Sequence, residues 1–247
     1  SALYFVLIFG LIALYRAFTY FGGKRLWSPI YKVITAFALL PLTIYIISWS
    51  GWFFSDRGWD RNSSSNPIAA LLNYHEAILN FHRNLSTAHN YEANPWSWLI
   101  QGRPTSFFYE TPEGCGAESC SQEVLALGTP LLWWSASIAL AVVIGFWIRS
   151  ILLRKIDPVA GIIVAGMSAG YLPWFFFQER TTFTFYTIVF QPFLILALVY
   201  CAHLYLSQRR RSGERAYRLG EYWVILVVVV FTINFIISCQ FTWVRLL

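Results

Sequence analysis

Charge is the scarcest commodity in this 247-residue sequence. Only 12% of its residues are Asp, Glu, Lys or Arg, against 57% that are hydrophobic. A soluble domain carries about 25% charged residues, so an ordinary water-soluble fold is excluded. The long apolar stretches hold no Asp, Glu, Lys or Arg in their interiors, only Asn234 and the Gln191-Pro192 pair, with His203 near one end. No internal repeat is visible. Ion-coupled carriers commonly place ionisable groups at mid-membrane and interrupt helices there, so a transporter is the weaker membrane reading. The first residue, Ser1, is not an initiator Met. The run after it lacks the basic leading segment and small-residue cleavage site of a secretory signal. The expectation is a chain that begins inside or just before a helix, with sequence missing upstream.

What is present is hydrocarbon in membrane-sized portions. Apolar segments occur at 1–15, 30–50, 130–148, 159–177, 183–206 and 222–243, and ~20 apolar residues suffice to cross a bilayer as a helix. The expected fold is an all-α polytopic membrane protein of about six transmembrane helices with an outward-facing amphipathic helical loop. Residues 1–50 would be two transmembrane helices, the first truncated. Residues 51–129 form an extracytoplasmic loop, and 130–247 a four-helix transmembrane region.

The sides follow from charge. Of the 18 basic residues, 12 lie around the first, third and fifth connections, from Arg16 through Arg154 to the run Arg209, Arg210 and Arg211. Cytoplasmic loops carry this Lys/Arg excess. The basic pI of about 9.2 is therefore a topology signal, not a nucleic-acid footprint. All 12 tryptophans fall in connections or near span ends, as expected of an aromatic belt at headgroup depth. A multi-pass plasma-membrane protein with its active side extracytoplasmic is the resulting expectation.

Two features stand out in the outward loop. Cys115 and Cys120 lie in "EGCGAESCSQE", where an oxidising compartment permits a disulfide; a zinc site is the competing idea but needs further ligands. Upstream, Asn66-Pro67 is a helix start. Leu71, Tyr74, Ile78, Phe81, Leu85 and Ala88 then repeat as one apolar stripe, which predicts an interfacial amphipathic helix over about 67–89. His75, His82 and His89 recur every seven residues along one border of that stripe. Seven residues of helix advance about 10.5 Å, whereas metal–nitrogen bonds are about 2 Å. Neighbours in the column cannot share an ion, so no metal site is expected.

From His89 the chain reads "HNYEANPWSWLIQGRPTSFFY", and later "YLPWFFFQERTTFTFYTIVFQP". These segments resemble the protein O-mannosyltransferases. In the first, His89, Tyr91, Trp98, Arg103 and Pro104 fit the family pattern, with Tyr109 a looser match. Ala93 stands for the usual serine and Leu99 for the usual proline. In the second, Tyr171, Pro173, Arg180, Phe183, Tyr186 and Pro192 fit, while Thr184 and Phe185 replace the His pair common in eukaryotic members. The resemblance is to the C-terminal half of a bacterial, actinobacterial-looking enzyme. It implies a GT-C membrane fold and a polyprenyl-phosphate-mannose donor with no other cofactor. Mannose would pass, with inversion, to Ser or Thr of exported polypeptides. The catalytic carboxylate would lie in an N-terminal half of the same enzyme, so no catalytic residue is expected in this chain, and alone it should be inactive.

The resemblance assigns Arg180 to the donor phosphate, where a guanidinium can grip two oxygens; a snorkelling arginine is the plain alternative. Arg83 and Arg103 are further candidates for phosphate or peptide, and solvated surface arginines otherwise. Tyr91 and Trp98 can wall a sugar or anchor the interface. His82 and His89 can line the site or border a helix, and His75 is read only as a border residue. Glu92 and Glu179 read as solvated partners of neighbouring arginines. Other lipid-phosphate-sugar transferases, such as an arabinose- or aminoarabinose-transferring relative, share this logic. A non-catalytic membrane subunit is the remaining alternative.

Overall fold

A computed structural model describes residues 2–21, 27–112, 120–241 and 245–246. Contacts divide the chain into two units, Ser1–Thr87 and Ala88–Leu247.

In the first unit, α1 (Ala2–Phe21) runs straight past Arg16, which the apolar run 1–15 suggested as its end. Arginine is a good helix former, and its long stem can lie along apolar surface. Helices α2 (Trp27–Ile34) and α3 (Leu40–Ser48) are joined by a π-helical turn, Thr35–Leu39. Pro41, which has no N–H to donate to the carbonyl four residues back, follows that wide turn. After the single turn α4 (Ser50–Phe53) comes α5 (Pro67–Asn84). Asn66 caps it: its Oδ1 accepts from the N–H of Ile68 at 2.9 Å and of Ala69 at 3.4 Å. The helix stops five residues before the expected 89, so His82 and His89 do not share a helical column. Ser86 and Thr87 follow the stop, and such hydroxyl side chains compete for backbone hydrogen bonds.

In the second unit the polar stretch before α6 folds partly as a β-hairpin, which the apolar periodicity did not anticipate. Strand β1 (Thr105–Glu110) pairs antiparallel with β2 (Cys120–Ala126), with a register shift between Ser106 and Phe108. The two-residue β3 (Arg245–Leu246) pairs antiparallel with β2. Four long helices lie between β2 and β3: α6 (Pro130–Leu152), α7 (Pro158–Tyr171), α8 (Gln191–Arg211) and α9 (Glu214–Phe241). Single 3-10 turns, Leu172–Phe176 and Thr184–Val189, lie between α7 and α8.

Five segments are long and apolar enough to cross a membrane among the described residues: Ala2–Thr19, Pro29–Ser48, Pro130–Leu152, Pro158–Phe176 and Glu214–Ser238. The expected span 183–206 is the exception. Pro192 cannot continue an α-helix upstream, so α8 begins at Gln191, and its last turn is filled by Arg209, Arg210 and Arg211.

Small residues set the packing of α6, α7 and α8. Ala136, Ala139, Ala160, Ala169 and Ala197 are all buried in the core. In a membrane, where water provides no drive between helices, such residues let backbones approach and gain dispersion contacts. Gly166 shows how close: a Cβ there would sit 2.1 Å from the Phe193 ring of α8.

The start of α7 carries a charge-dependent lock. Asp157 Oδ1 accepts from the N–H of Val159 and Ala160 at 2.9 and 3.0 Å, and Tyr200 Oη of α8 donates to Oδ2. Burial pushes the Asp157 carboxyl up. The Tyr200 and backbone hydrogen bonds to the ionised form outweigh it, and the net shift is below the ordinary 3.8. A lowered folded-state value means that this stabilisation is complete above the ordinary value and is lost as pH falls through the folded one. The Asp157→Asn variant, which keeps a capping oxygen, should lose less thermal stability than wild type between neutral and strongly acidic pH. Asp157→Ala should cost about 1 kcal/mol at neutral pH. Parallel acid dependence of wild type and Asp157→Asn would rule out the lock.

Candidate functional site

The site is built on the loop that precedes the hairpin. Residues 93–103 follow an irregular path through the 3-10 turn Pro95–Ile100, a path too short to satisfy all its carbonyls from the backbone. An unpaired buried carbonyl is costly, and side chains supply further donors. Ala93 O accepts from Trp98 Nε1 and Thr182 Oγ1, both at 2.9 Å. Pro95 O accepts from Tyr171 Oη at 2.8 Å. The first turns of α6 supply three more donors: Trp133 Nε1 to Trp98 O at 3.1 Å, Ser137 Oγ to Leu99 O at 2.9 Å, and Trp134 Nε1 to Ile100 O at 3.0 Å. Thr184 Oγ1 closes the series on Arg103 O at 2.5 Å. The N–H of Ala93 donates to Thr182 O at 2.8 Å.

This clamp brings the two sequence segments of interest together. Trp98, 0% exposed, sits against Tyr171, Trp174, Tyr186 and Phe190. Trp174 and Tyr186 stack face to face, 4.6 Å apart and 9° from parallel. Arg180 lies against this pair, its Cζ 5.5 Å from the Trp174 centroid and 5.6 Å from that of Tyr186, with Nη2 donating to Tyr186 Oη at 3.4 Å. A guanidinium against aromatic faces gains cation–π attraction. Here the rings also fix where the charge sits.

Phe183 and Phe185, which stack on each other, both contact the Tyr186 ring. Phe183 meets the His89 ring edge-on at 5.2 Å. His89 Nδ1 accepts from the N–H of Tyr91 at 3.1 Å, and Tyr91 Oη donates to Glu123 Oε1 of β2 at 3.5 Å. His89, Tyr91 and Arg180 therefore belong to one aromatic-lined locality.

Other candidates are placed differently. Trp98 has no exposed surface, and its N–H is used by Ala93, so it supports the site and does not wall a sugar. Arg103 is exposed, and its carbonyl is what binds the Thr184 loop. His82 and Arg83 lie exposed in the last turn of α5, in the first unit, where His82 touches Phe81. His75 is on the docked face of α5, not its border: Nδ1 donates to Leu71 O at 2.6 Å, and Nε2 accepts from Tyr45 Oη. Cys120 is disulfide-bonded; Cys115, its expected partner, lies outside the described residues. Among the described residues no three His, Cys, Asp or Glu side chains gather as a metal site.

Trp174, Tyr186, Thr182, Phe183 and Glu123 are contributors that sequence reasoning missed as site residues. Trp174 was legible only as a belt tryptophan, and Thr182 and Glu123 carry no local signal. Phe183 and Tyr186 stood in the matched motif without a role.

Comparisons with known proteins show the family. Residues 67–245 match the family model described as the C-terminal four TMM region of protein-O-mannosyltransferase. A polyprenol-phosphate-mannose–protein mannosyltransferase of Mycolicibacterium smegmatis is 30% identical over 263 residues, covering 95% of this chain and 49% of that protein. The enzymes of that name from Mycobacterium tuberculosis and Corynebacterium glutamicum are each 28% identical, covering 95% and 80% of this chain and 49% and 42% of their own lengths. The chain thus spans about half the length of the curated relatives it matches. A solved structure of the S. cerevisiae protein O-mannosyltransferase Pmt1-Pmt2 complex bound to the sugar donor shares the fold. Its TM-score is 0.54 at 20% identity, with 69% of this chain and 23% of that one covered.

If the clamp holds the loop, Thr182→Val and Tyr171→Phe should each cost about 1 kcal/mol and speed amide hydrogen exchange across residues 91–101. Unchanged exchange in both variants would show that the loop is held by something else.

Proposed function

Because the chain belongs to the protein O-mannosyltransferase family, as a multi-pass helical membrane protein, we propose that it forms the C-terminal membrane half of a polyprenyl-phosphate-mannose-dependent enzyme. That enzyme transfers mannose, with inversion, to Ser or Thr hydroxyls of exported polypeptides. The active face is extracytoplasmic at the plasma membrane, on the side opposite the arginine-rich connections.

One observation carries the reading. Arg180 is held by the Trp174–Tyr186 stack, beside the clamped loop and within the matched region. When the sugar–phosphate bond breaks, negative charge grows on the leaving lipid phosphate. A fixed cation at that oxygen stabilises the transition state more than the ground state, and its prior orientation removes the cost of reorganisation. The guanidinium supplies two parallel N–H donors for this.

Tyr91 and His89 lie along the same aromatic surface and are the residues of this chain best placed for sugar or acceptor. Inversion also requires a base on the face opposite the phosphate to take the acceptor proton. We assign that carboxylate to the half of the enzyme that this chain does not span.

In the full-length enzyme, Arg180→Ala should lower mannose transfer to a Ser/Thr peptide by about 100-fold or more, and Arg180→Lys should recover only part, because an ammonium cannot bind in the same two-pronged way. His89→Ala should lower transfer more than it lowers thermal stability, whereas His82→Ala should leave transfer near wild type. Near-normal turnover by a folded Arg180→Ala enzyme would end the assignment.

A further inference from the structure

A second lipid-directed feature lies at the far end of α8. Helices α8 and α9 run antiparallel about the Ser212–Gly213 turn, and with α6 they leave an apolar groove of about 850 Å³. Its lining includes Leu132 of α6, Ile195 and Tyr205 of α8, and Trp223, Val228 and Phe235 of α9. The ten residue steps from Ile195 to Tyr205 correspond to about 15 Å of helix, so the groove has the length of a hydrocarbon chain within one leaflet. α9 is thinly covered by protein: 6% of its apolar span is buried, against 33% for Pro158–Phe176.

The groove is electrically polarised. Around the turn stand Arg209, Arg210, Arg211, Arg215 and Arg218, with only Glu214 and Glu221 for acids. Arg218 is paired with Glu214 at 2.5 Å. The other four arginines make no ion pair among the described residues.

Arg209 joins charge to groove directly. Its guanidinium carbon is 5.1 Å from the ring centroid of Tyr205, a groove-lining residue. Its stem packs on α9 where Gly220 leaves room: a Cβ at Gly220 would sit 3.2 Å from Arg209 Cγ. Such a pairing of an apolar slot with a cationic end matches a lipid whose phosphate sits at that end.

We propose that the groove between α8 and α9 holds an acyl chain of an anionic glycerophospholipid, its phosphate resting on Arg209 and the neighbouring arginines in the leaflet that meets the Ser212–Gly213 turn. The donor's own tail is a poorer occupant. The 21 residues of α8 separate its Gln191 end, which follows Arg180 and Tyr186 in the chain, from the arginine end by about 31 Å. A phosphate bound at Arg180 leaves these arginines unanswered. The inference stands on different residues from the donor reading and does not require it.

The test uses the full-length protein in phosphatidylcholine nanodiscs, with spin-labelled phosphatidylglycerol or spin-labelled phosphatidylcholine read by electron paramagnetic resonance. Wild type should immobilise the phosphatidylglycerol in preference. Arg209→Gln, an exposed change that spares the fold, should weaken that preference about fivefold. Val228→Trp, which fills the groove, should remove the immobilised component. Three outcomes would overturn the proposal: equal immobilisation of both lipids by wild type, an unchanged preference in Arg209→Gln, or displacement of the phosphatidylglycerol by polyprenyl phosphate.

Discussion

Backbone carbonyls in the stretch 93–103 accept hydrogen bonds from side chains elsewhere in the second unit or in the loop itself, and the second unit is organised around satisfying them. In water such groups would be hydrated; beside a bilayer each must find a donor or cost free energy. The donors come from three places: Trp133, Trp134 and Ser137 at the head of α6, Tyr171 at the end of α7, and Thr182 and Thr184 in the connection to α8. Each bond is modest in net worth, about 1 kcal/mol. Together they lock an irregular loop to rigid helices, the condition for holding functional side chains at fixed positions.

Arg180 depends on that lock at one remove. Trp98 is buried because the loop is clamped, and Trp174 and Tyr186 pack around it. Their stacked pair gives the guanidinium a defined seat. An arginine at a membrane surface otherwise spreads over many rotamers among headgroups. A seated one can meet a developing phosphate charge without first paying for its own ordering.

Much of this architecture was legible. Composition and the positions of apolar runs identified a multi-pass helical protein, Asn66-Pro67 marked the start of α5, and the two motif segments proved to be packed against each other. Other parts were not legible, for identifiable reasons. The apolar stripe continued through Leu85 and Ala88, so periodicity alone could not reveal that α5 stops at Asn84. A tryptophan at the interface and one such as Trp98, buried beneath a loop, look alike in sequence. The β-hairpin strands "TSFFYE" and "CSQEVLA" lack the alternation that betrays a half-buried strand. The donors Thr182 and Thr184 are ordinary threonines until the loop they hold is seen.

Everything proposed for this site turns on Arg180 as the seat of the donor's phosphate. An experimental structure of the full-length enzyme with polyprenyl-phosphate-mannose tests it most directly. Phosphate oxygens should lie within about 2.7–2.9 Å of the Arg180 guanidinium nitrogens, with the Trp174–Tyr186 stack intact. A bound donor whose phosphate is held by other residues, with Arg180 turned out to the lipid headgroups, would contradict it.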